Sequence, residues 1–339
     1  MYISSDLTID TSKFRPENVT EVTKQANATI KALTAPGPAW YEVGAVEYRK
    51  MHAEGNAALP QPIYLPGATD ATLPSRDSAR AIPVRVYQPD NGRPSRGVFM
   101  HIHGGGFVLG NEKYWDGTLQ MLANGAQLTA ISVGYRHAPE DPYPAPLHDC
   151  IDAAEHLVDH PSLYGTLRFL GGESAGSHLS VVVALHMLHS RPSFALSGVL
   201  AFYGIYDWGI GLPSATKSAE SLILNRLALE HFGHAYLPGK TSKDRQDPYM
   251  SPLFADLRSL AQGSAKGLPP VLFSVGTDDC LLDDTILMSA KWSIAGGESI
   301  VKFYPGGPHG FTVIPNLPIA EEAKAVGVAF LNERLDQIA

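Results

Sequence analysis

Residues 171–176 read Gly-Gly-Glu-Ser-Ala-Gly, and what flanks them decides the fold. Before them stands Leu167-Arg168-Phe169-Leu170, an apolar run of strand character; from Ala175 onward SHLSVVVALHML continues as an apolar helix. Within the stretch, Gly172-Glu173-Ser174-Ala175-Gly176 fits G-x-S-x-G. A strand before and a helix after are the context in which such a serine sits on a sharp turn with its hydroxyl exposed. Glycines are needed there because the serine backbone is strained and neighbouring chain passes close by. A helix beginning at Ala175 also presents its N-terminus to developing negative charge.

Outward from this turn the chain alternates. Strand-like runs fall at 83–88, 97–102, 128–133, 167–170, 197–203, 270–275 and 299–304, with helical stretches at 145–159, 175–189, 284–295 and 318–335. Alternation of this kind predicts a mostly parallel sheet with helices on both faces. The first two strands are joined too closely for a crossover, which predicts an antiparallel edge. Two segments break the pattern. Residues 17–33 carry an amphipathic helix ended by Pro36-Gly37-Pro38, with a second helical patch over 40–55; residues 205–250 insert helical and Gly/Pro-rich sequence between two strands. Long insertions at the carboxyl ends of strands are where α/β proteins build lids and pockets.

Three further stretches lie at predicted strand ends. His103-Gly104-Gly105-Gly106-Phe107 follows the strand 97–102, and its glycines leave N–H groups unshielded. Gly104 and Gly105, with the N–H of Ala175, can aim donors at an oxyanion. A serine hydroxyl needs a base. Of the 13 histidines, His309 stands out in Pro308-His309-Gly310-Phe311, just after the last strand. An imidazole in that role needs a carboxylate to fix its tautomer. After the strand 270–275 come Asp278, Asp279, Asp283 and Asp284; the last two read as the N-cap and first-turn acids of a helix, leaving Asp278 or Asp279 in the loop. The order serine, aspartate, histidine, each at a strand's carboxyl end, is that of a nucleophile–acid–base triad on an α/β sheet.

Composition narrows the partners. The chain has 339 residues, 44% hydrophobic and 18% charged, enough for a core that needs no disulfide or metal. Its formal net charge is −8 with no basic run, which argues against nucleic acid or an anionic membrane as partner. The start, MYISSDLTIDTSKF, has no signal-peptide pattern, no apolar stretch is long enough for a membrane span, and Cys150 and Cys280 form no metal or CxxC pattern. These point to a cytoplasmic protein acting on a small molecule without a cofactor. His101 with His103, and His186 with His189, are pairs lacking the third ligand a zinc site needs.

Together, HGGGF at 103–107, Tyr135-Arg136-His137-Ala138-Pro139-Glu140, GESAG at 172–176, Asp279-Cys280-Leu281-Leu282-Asp283 and PHGF at 308–311 resemble the hormone-sensitive-lipase-like esterases. The resemblance runs over about residues 80–335. It implies an α/β-hydrolase fold with a helical cap: residues 1–55 would form the cap's N-terminal part, and 56–339 the catalytic domain, with a cap insertion at about 205–250. It implies Ser174 as nucleophile, His309 as base and Asp279, which begins the family's acid pattern, as the triad acid. The activity implied is hydrolysis of small soluble carboxylic esters through an acyl-enzyme, with an acid limb near the usual histidine range of about 6 to 7. An amidase or deacetylase on the same triad is the alternative. A silent binding protein, such as the plant gibberellin receptors that resemble this family, would lack the histidine. Phe107, Tyr206, Trp208, Leu282 and Phe311 are the expected pocket walls, with Phe14, Trp40 and Tyr41 from the N-terminal segment. A homodimer is suggested by resemblance alone.

Three residues depart from the family pattern: Glu173 before the serine, Cys280 in place of a proline and Ser177 in place of a second glycine. GESAG with HGGGF also resembles the larger carboxylesterases and cholinesterases, which are longer and use a glutamate in the triad. A carboxylate at 173 would oppose an oxyanion unless it points away or is paired, and Arg136 is a candidate partner.

Overall fold

A computed structural model describes residues 8–34, 37–57, 61–219 and 221–337. Its centre is one eight-stranded sheet: β1 (Thr69–Pro74), β2 (Ala81–Tyr87), β3 (Val98–Ile102), β4 (Thr129–Val133), β5 (Leu167–Glu173), β6 (Gly198–Phe202), β7 (Val271–Gly276) and β8 (Ser299–Tyr304). The spatial order is β1-β2-β4-β3-β5-β6-β7-β8. β2 runs antiparallel to both β1 and β4, and the other pairs are parallel. The expected antiparallel edge is present, but β2 is not beside β3. β4 lies between them, and the chain from Tyr87 to Val98 steps over it, a short reach at strand spacings of about 4.8 Å.

The helices are α1 (Glu21–Thr34), α2 (Trp40–Val43), α3 (Ala45–Ala53), α4 (Asp116–Ala126), α5 (Ala145–Asp159), α6 (Pro161–Tyr164), α7 (Ala175–Ser190), α8 (Pro213–Thr216), α9 (Arg226–Tyr236), α10 (Leu257–Gly263), α11 (Leu282–Ile294) and α12 (Pro318–Asp336). Pro36, expected to help end the first helix, lies outside the described residues. β3, β4, β6 and β7 are buried at every position, so they read as unbroken apolar runs instead of alternating ones. Two apolar clusters fill the two faces. One joins α5 and α7 to the sheet; the other joins α4 and α12 to it. α7 is apolar all round because it is enclosed all round, from Ala175 to Leu185 without a break.

β1 and α4 are among the elements that were not legible, with the short α6 and α10. β1 is a polar edge strand, TDATLP, mostly solvent-facing. α4 carries two glycines and ends on Gln127 in the left-handed conformation, so its helical pattern is weak. A buried ion pair anchors its start: Asp116 takes Arg85 from β2 (2.6 and 2.9 Å) and the Tyr87 hydroxyl (2.7 Å).

Candidate active site

The turn after β5 bends hard. Ser174 has φ 55° and ψ −117°, a conformation that costs a non-glycine residue about 1–3 kcal/mol and persists only where packing enforces it. The flanking glycines show what enforces it. A Cβ on Gly172 would stand 2.0 Å from the Ile102 carbonyl oxygen, and one on Gly176 1.8 Å from the same atom. β3 and the start of α7 are therefore packed backbone to backbone, with the serine pushed outward between them.

Opposite the serine, the loop after β8 carries His309. Its Nε2 lies 2.8 Å from Ser174 Oγ, and its Nδ1 lies 3.0 Å from each oxygen of Asp279. Asp279 is buried, and its Oδ1 also accepts from Leu281 N (2.8 Å). The acid and base loops are tied to each other: Asp278 N donates to Gly307 O (3.1 Å), and Gly306 N to Thr277 Oγ1 (2.8 Å). Asp278 points into solvent, so the choice left open by spacing falls on Asp279. The structure thus brings Ser174, His309 and Asp279 into one hydrogen-bonded line.

Beside the serine lies the glycine loop. A Cβ on Gly104 would come within 3.5 Å of Ser174 Cβ, so loop and serine are in contact. The N–H groups of Gly104, Gly105 and Ala175 make no main-chain hydrogen bond to a loop or turn carbonyl among the described residues, and Ala175, as the first helical residue, has no acceptor within α7. Gly105 has φ +120°, open only to glycine. The His103 ring braces this loop. Its Nδ1 is 2.8 Å from Gly104 O, it stacks on Tyr135, and Tyr135 OH donates to His103 O. Burial holds His103 well below the ordinary histidine pKa, so it is neutral and its Nδ1–H donates.

Other assignments change. Arg136 does not meet Glu173; it pairs with Asp149 (2.8 Å), which burial and a second arginine, Arg80, also hold. Glu173 instead pairs with His101, Oε2 to Nε2 at 3.0 Å. His186 meets Tyr249 and Glu155. Asp283 and Asp284 lie in the first turn of α11 as expected, but neither is its N-cap. Leu281 is the N-cap, Asp283 accepts from Ser214 N, and Asp284, 1% exposed, accepts from Tyr206 N and Asp207 N.

Of the expected pocket walls, Phe107, Tyr206 and Phe311 are fully buried. Phe107 stacks on Tyr236, Tyr206 OH meets Ser177 Oγ, and Phe311 packs between Tyr203 and Tyr304. Trp208 and Leu282 keep exposed surface. Phe14 packs on Phe303 at the β8 edge. Trp40 stacks on Phe232 and Tyr41 on His231, both in α9. Sequence reasoning missed Phe232, whose ring occupies the space a Cβ on Gly106 would need (2.2 Å). It also missed Tyr203, at φ 38°, whose ring stands edge-on to His309 at 5.1 Å and whose hydroxyl meets Thr312 Oγ1. No local pattern marks either; both contacts join segments remote in sequence.

A profile of the alpha/beta hydrolase fold family matches residues 99–313. The chain belongs to the α/β-hydrolase family. Among its relatives, carboxylesterase NlhH of Mycobacterium tuberculosis is 32% identical over 265 residues, 76% of this chain and 80% of that protein. Ethyl acetate hydrolase of Pseudomonas putida is 29% identical over 299 residues, 86% of this chain and 90% of that one. A solved α/β-hydrolase enzyme from the metagenome of Lake Arreo, Spain, is similar with a TM-score of 0.81 at 26% identity, covering 94% of this chain and 99% of that chain. Within the α/β-hydrolases the chain is a hormone-sensitive-lipase-like esterase.

Proposed function

We propose that Ser174, His309 and Asp279 form the catalytic triad with which this carboxylic ester hydrolase cleaves small esters through an acyl-enzyme. One observation carries the assignment: His309 faces Ser174 Oγ with one ring nitrogen at 2.8 Å and Asp279 with the other at 3.0 Å. Asp279 accepts a hydrogen bond from Nδ1–H and so keeps that proton on Nδ1, which leaves the Nε2 lone pair free to take the serine proton. Oγ then attacks the ester carbonyl. The oxyanion is received by the N–H groups of Gly104, Gly105 and Ala175, fixed before the substrate arrives and so needing no reorganisation. The imidazolium returns its proton to the departing alkoxide, and water repeats the sequence on the acyl-enzyme.

The same reading makes a cap of residues 1–55 and about 205–250, of which 1–7, 35, 36 and 220 lie outside the described residues. The stacking of Trp40 on Phe232, and of Phe232 over Gly106, supports it, because it joins both segments to the glycine loop. Trp208 and Leu282 then remain as pocket walls with surface to offer. Among the described residues no helix is long and apolar enough to cross a membrane. The two cysteines are free and buried, in keeping with the cytoplasmic location we infer.

Replacing Ser174 by alanine tests the nucleophile. Turnover of a chromogenic acetate ester is expected to fall by roughly 10⁵-fold or more, as when a triad serine is removed elsewhere, with the circular dichroism spectrum unchanged. Retained hydrolysis by the purified variant would overturn the assignment.

A further inference from the structure

Glu173 places a carboxylate one residue before the nucleophile, where the reaction builds negative charge. Its side chain is only 12% exposed, so water screens it poorly. Its main chain touches the oxyanion loop: a Cβ on Gly104 would stand 2.7 Å from Glu173 O. The side chain, however, is held toward the sheet. His101 Nε2 lies 3.0 Å from Glu173 Oε2, and His101 Nδ1 lies 3.0 Å from Ser132 Oγ. β4, β3 and β5 are neighbours, and His101 is in register with Ser132 on one side and Gly171 on the other; Glu173, two residues beyond Gly171, shares that face, so Ser132, His101 and Glu173 form a diagonal row across the sheet. His101 and Ser132 are 1% and 0% exposed. A neutral imidazole satisfies both contacts, with Nε2–H donating to the carboxylate and Nδ1 accepting the serine O–H. Tyr135 and Tyr203 also face this carboxylate, and its charge adds to the burial that raises both phenols. Their hydroxyls are engaged elsewhere, on His103 O and Thr312.

We propose that His101 is a positioning residue that holds the Glu173 carboxylate away from the oxyanion cradle, with Ser132 fixing the imidazole. The inference rests on the triad reading above. Released from His101, the carboxylate is free to turn toward Gly104, Gly105 and Ala175 and oppose the oxyanion. The penalty therefore belongs to the charge, not to the missing ring.

A double-mutant cycle reads this directly. His101→Leu is expected to lower kcat about tenfold or more with KM changed less than about threefold, the size of coupling that touching groups show. His101→Gln keeps a donor near the Nε2 position and should retain most of kcat. Adding Glu173→Gln to His101→Leu should restore much of the lost rate, because the amide carries no charge. Full activity in His101→Leu, or an equal loss in the double variant, overturns the proposal. If His101→Leu does not fold, Ser132→Ala replaces it: a kcat loss of a few-fold that Glu173→Gln relieves is expected, and no loss, or a loss left unrelieved, overturns it. Ser174→Ala run alongside separates the two readings. Turnover there removes the triad itself, whereas a dead Ser174→Ala with an additive cycle removes only the role of His101.

Discussion

Ser174 is strained because two glycines let the main chain of β3 come where side chains would otherwise be. That makes Gly176 a sharp test of the local account. Gly176→Ala places a methyl 1.8 Å from a backbone oxygen that no rotamer change can move. We expect a variant that is insoluble, or folded with its turn displaced and kcat/KM reduced at least about a hundredfold; a normal melting temperature with normal kinetics would contradict the packing described. Asp284 gives a second residue-level prediction. Burial, with Asp207 and Asp279 nearby, pushes its carboxyl up to about 8 although two backbone N–H groups act the other way. The folded state thus keeps a proton between about pH 4 and 8 that the unfolded chain, at the ordinary 3.8, releases. The contribution of this group to stability is full at the acid end of that window and is lost as pH rises through it. Both backbone donors bind one oxygen, Oδ1, at 2.6 and 2.9 Å, so an amide preserves them. Asp284→Asn should gain on the wild type as pH rises from 5 to 8, by at most about 1.4 kcal/mol per pH unit in denaturant unfolding. A gap that does not change with pH would show that the acid is ionised in the folded protein.

At the level of elements, the proposed catalytic residues sit on loops at the carboxyl ends of β3, β5, β7 and β8, and the parallel sheet brings those ends together. α9 is the element that closes over them. Its Phe232 is wedged between Trp40 and Gly106, and Tyr236, at its last turn, stacks on Phe107 of the glycine loop. Phe232→Ala removes the first of these contacts, a change that costs about 3–5 kcal/mol at buried phenylalanines. Because the contact joins the proposed cap to the loop and not strand to strand, the expected reading is faster proteolytic cleavage within 205–250 and a raised KM. Unchanged cleavage and KM would mean that α9 is held by other contacts.

For the whole molecule, the sequence revealed most of what the sheet does and little of what crosses it. Seven of the strands and the helices α5, α7, α11 and α12 are apolar and bounded by Gly or Pro, so their pattern is local. β1 and α4 are polar or glycine-containing, and they are stabilised by partners such as the Arg85–Asp116 pair that no local pattern displays. The same division runs through the site. Ser174, Asp279 and His309 announce themselves by glycines at strand ends. The partner of Glu173 depends on the strand order β4-β3-β5, and the sequence alone offers Arg136 in place of His101. Three fully buried aromatics among the expected pocket walls show the same thing: an aromatic near a site in sequence is usually packing. A cap over the site, as proposed, predicts a preference for short acyl chains. On a chromogenic ester series, kcat/KM should fall about tenfold or more between butyrate and dodecanoate, roughly what one to two kcal/mol of lost fit produces; a rate that climbs with chain length would argue against a closed cap. The most direct test of the central claim is to treat the protein with a fluorophosphonate probe and map the adduct by mass spectrometry. The account predicts a single adduct on Ser174 that is strongly reduced in His309→Ala, and an adduct on another serine, or none on the active enzyme, would contradict it.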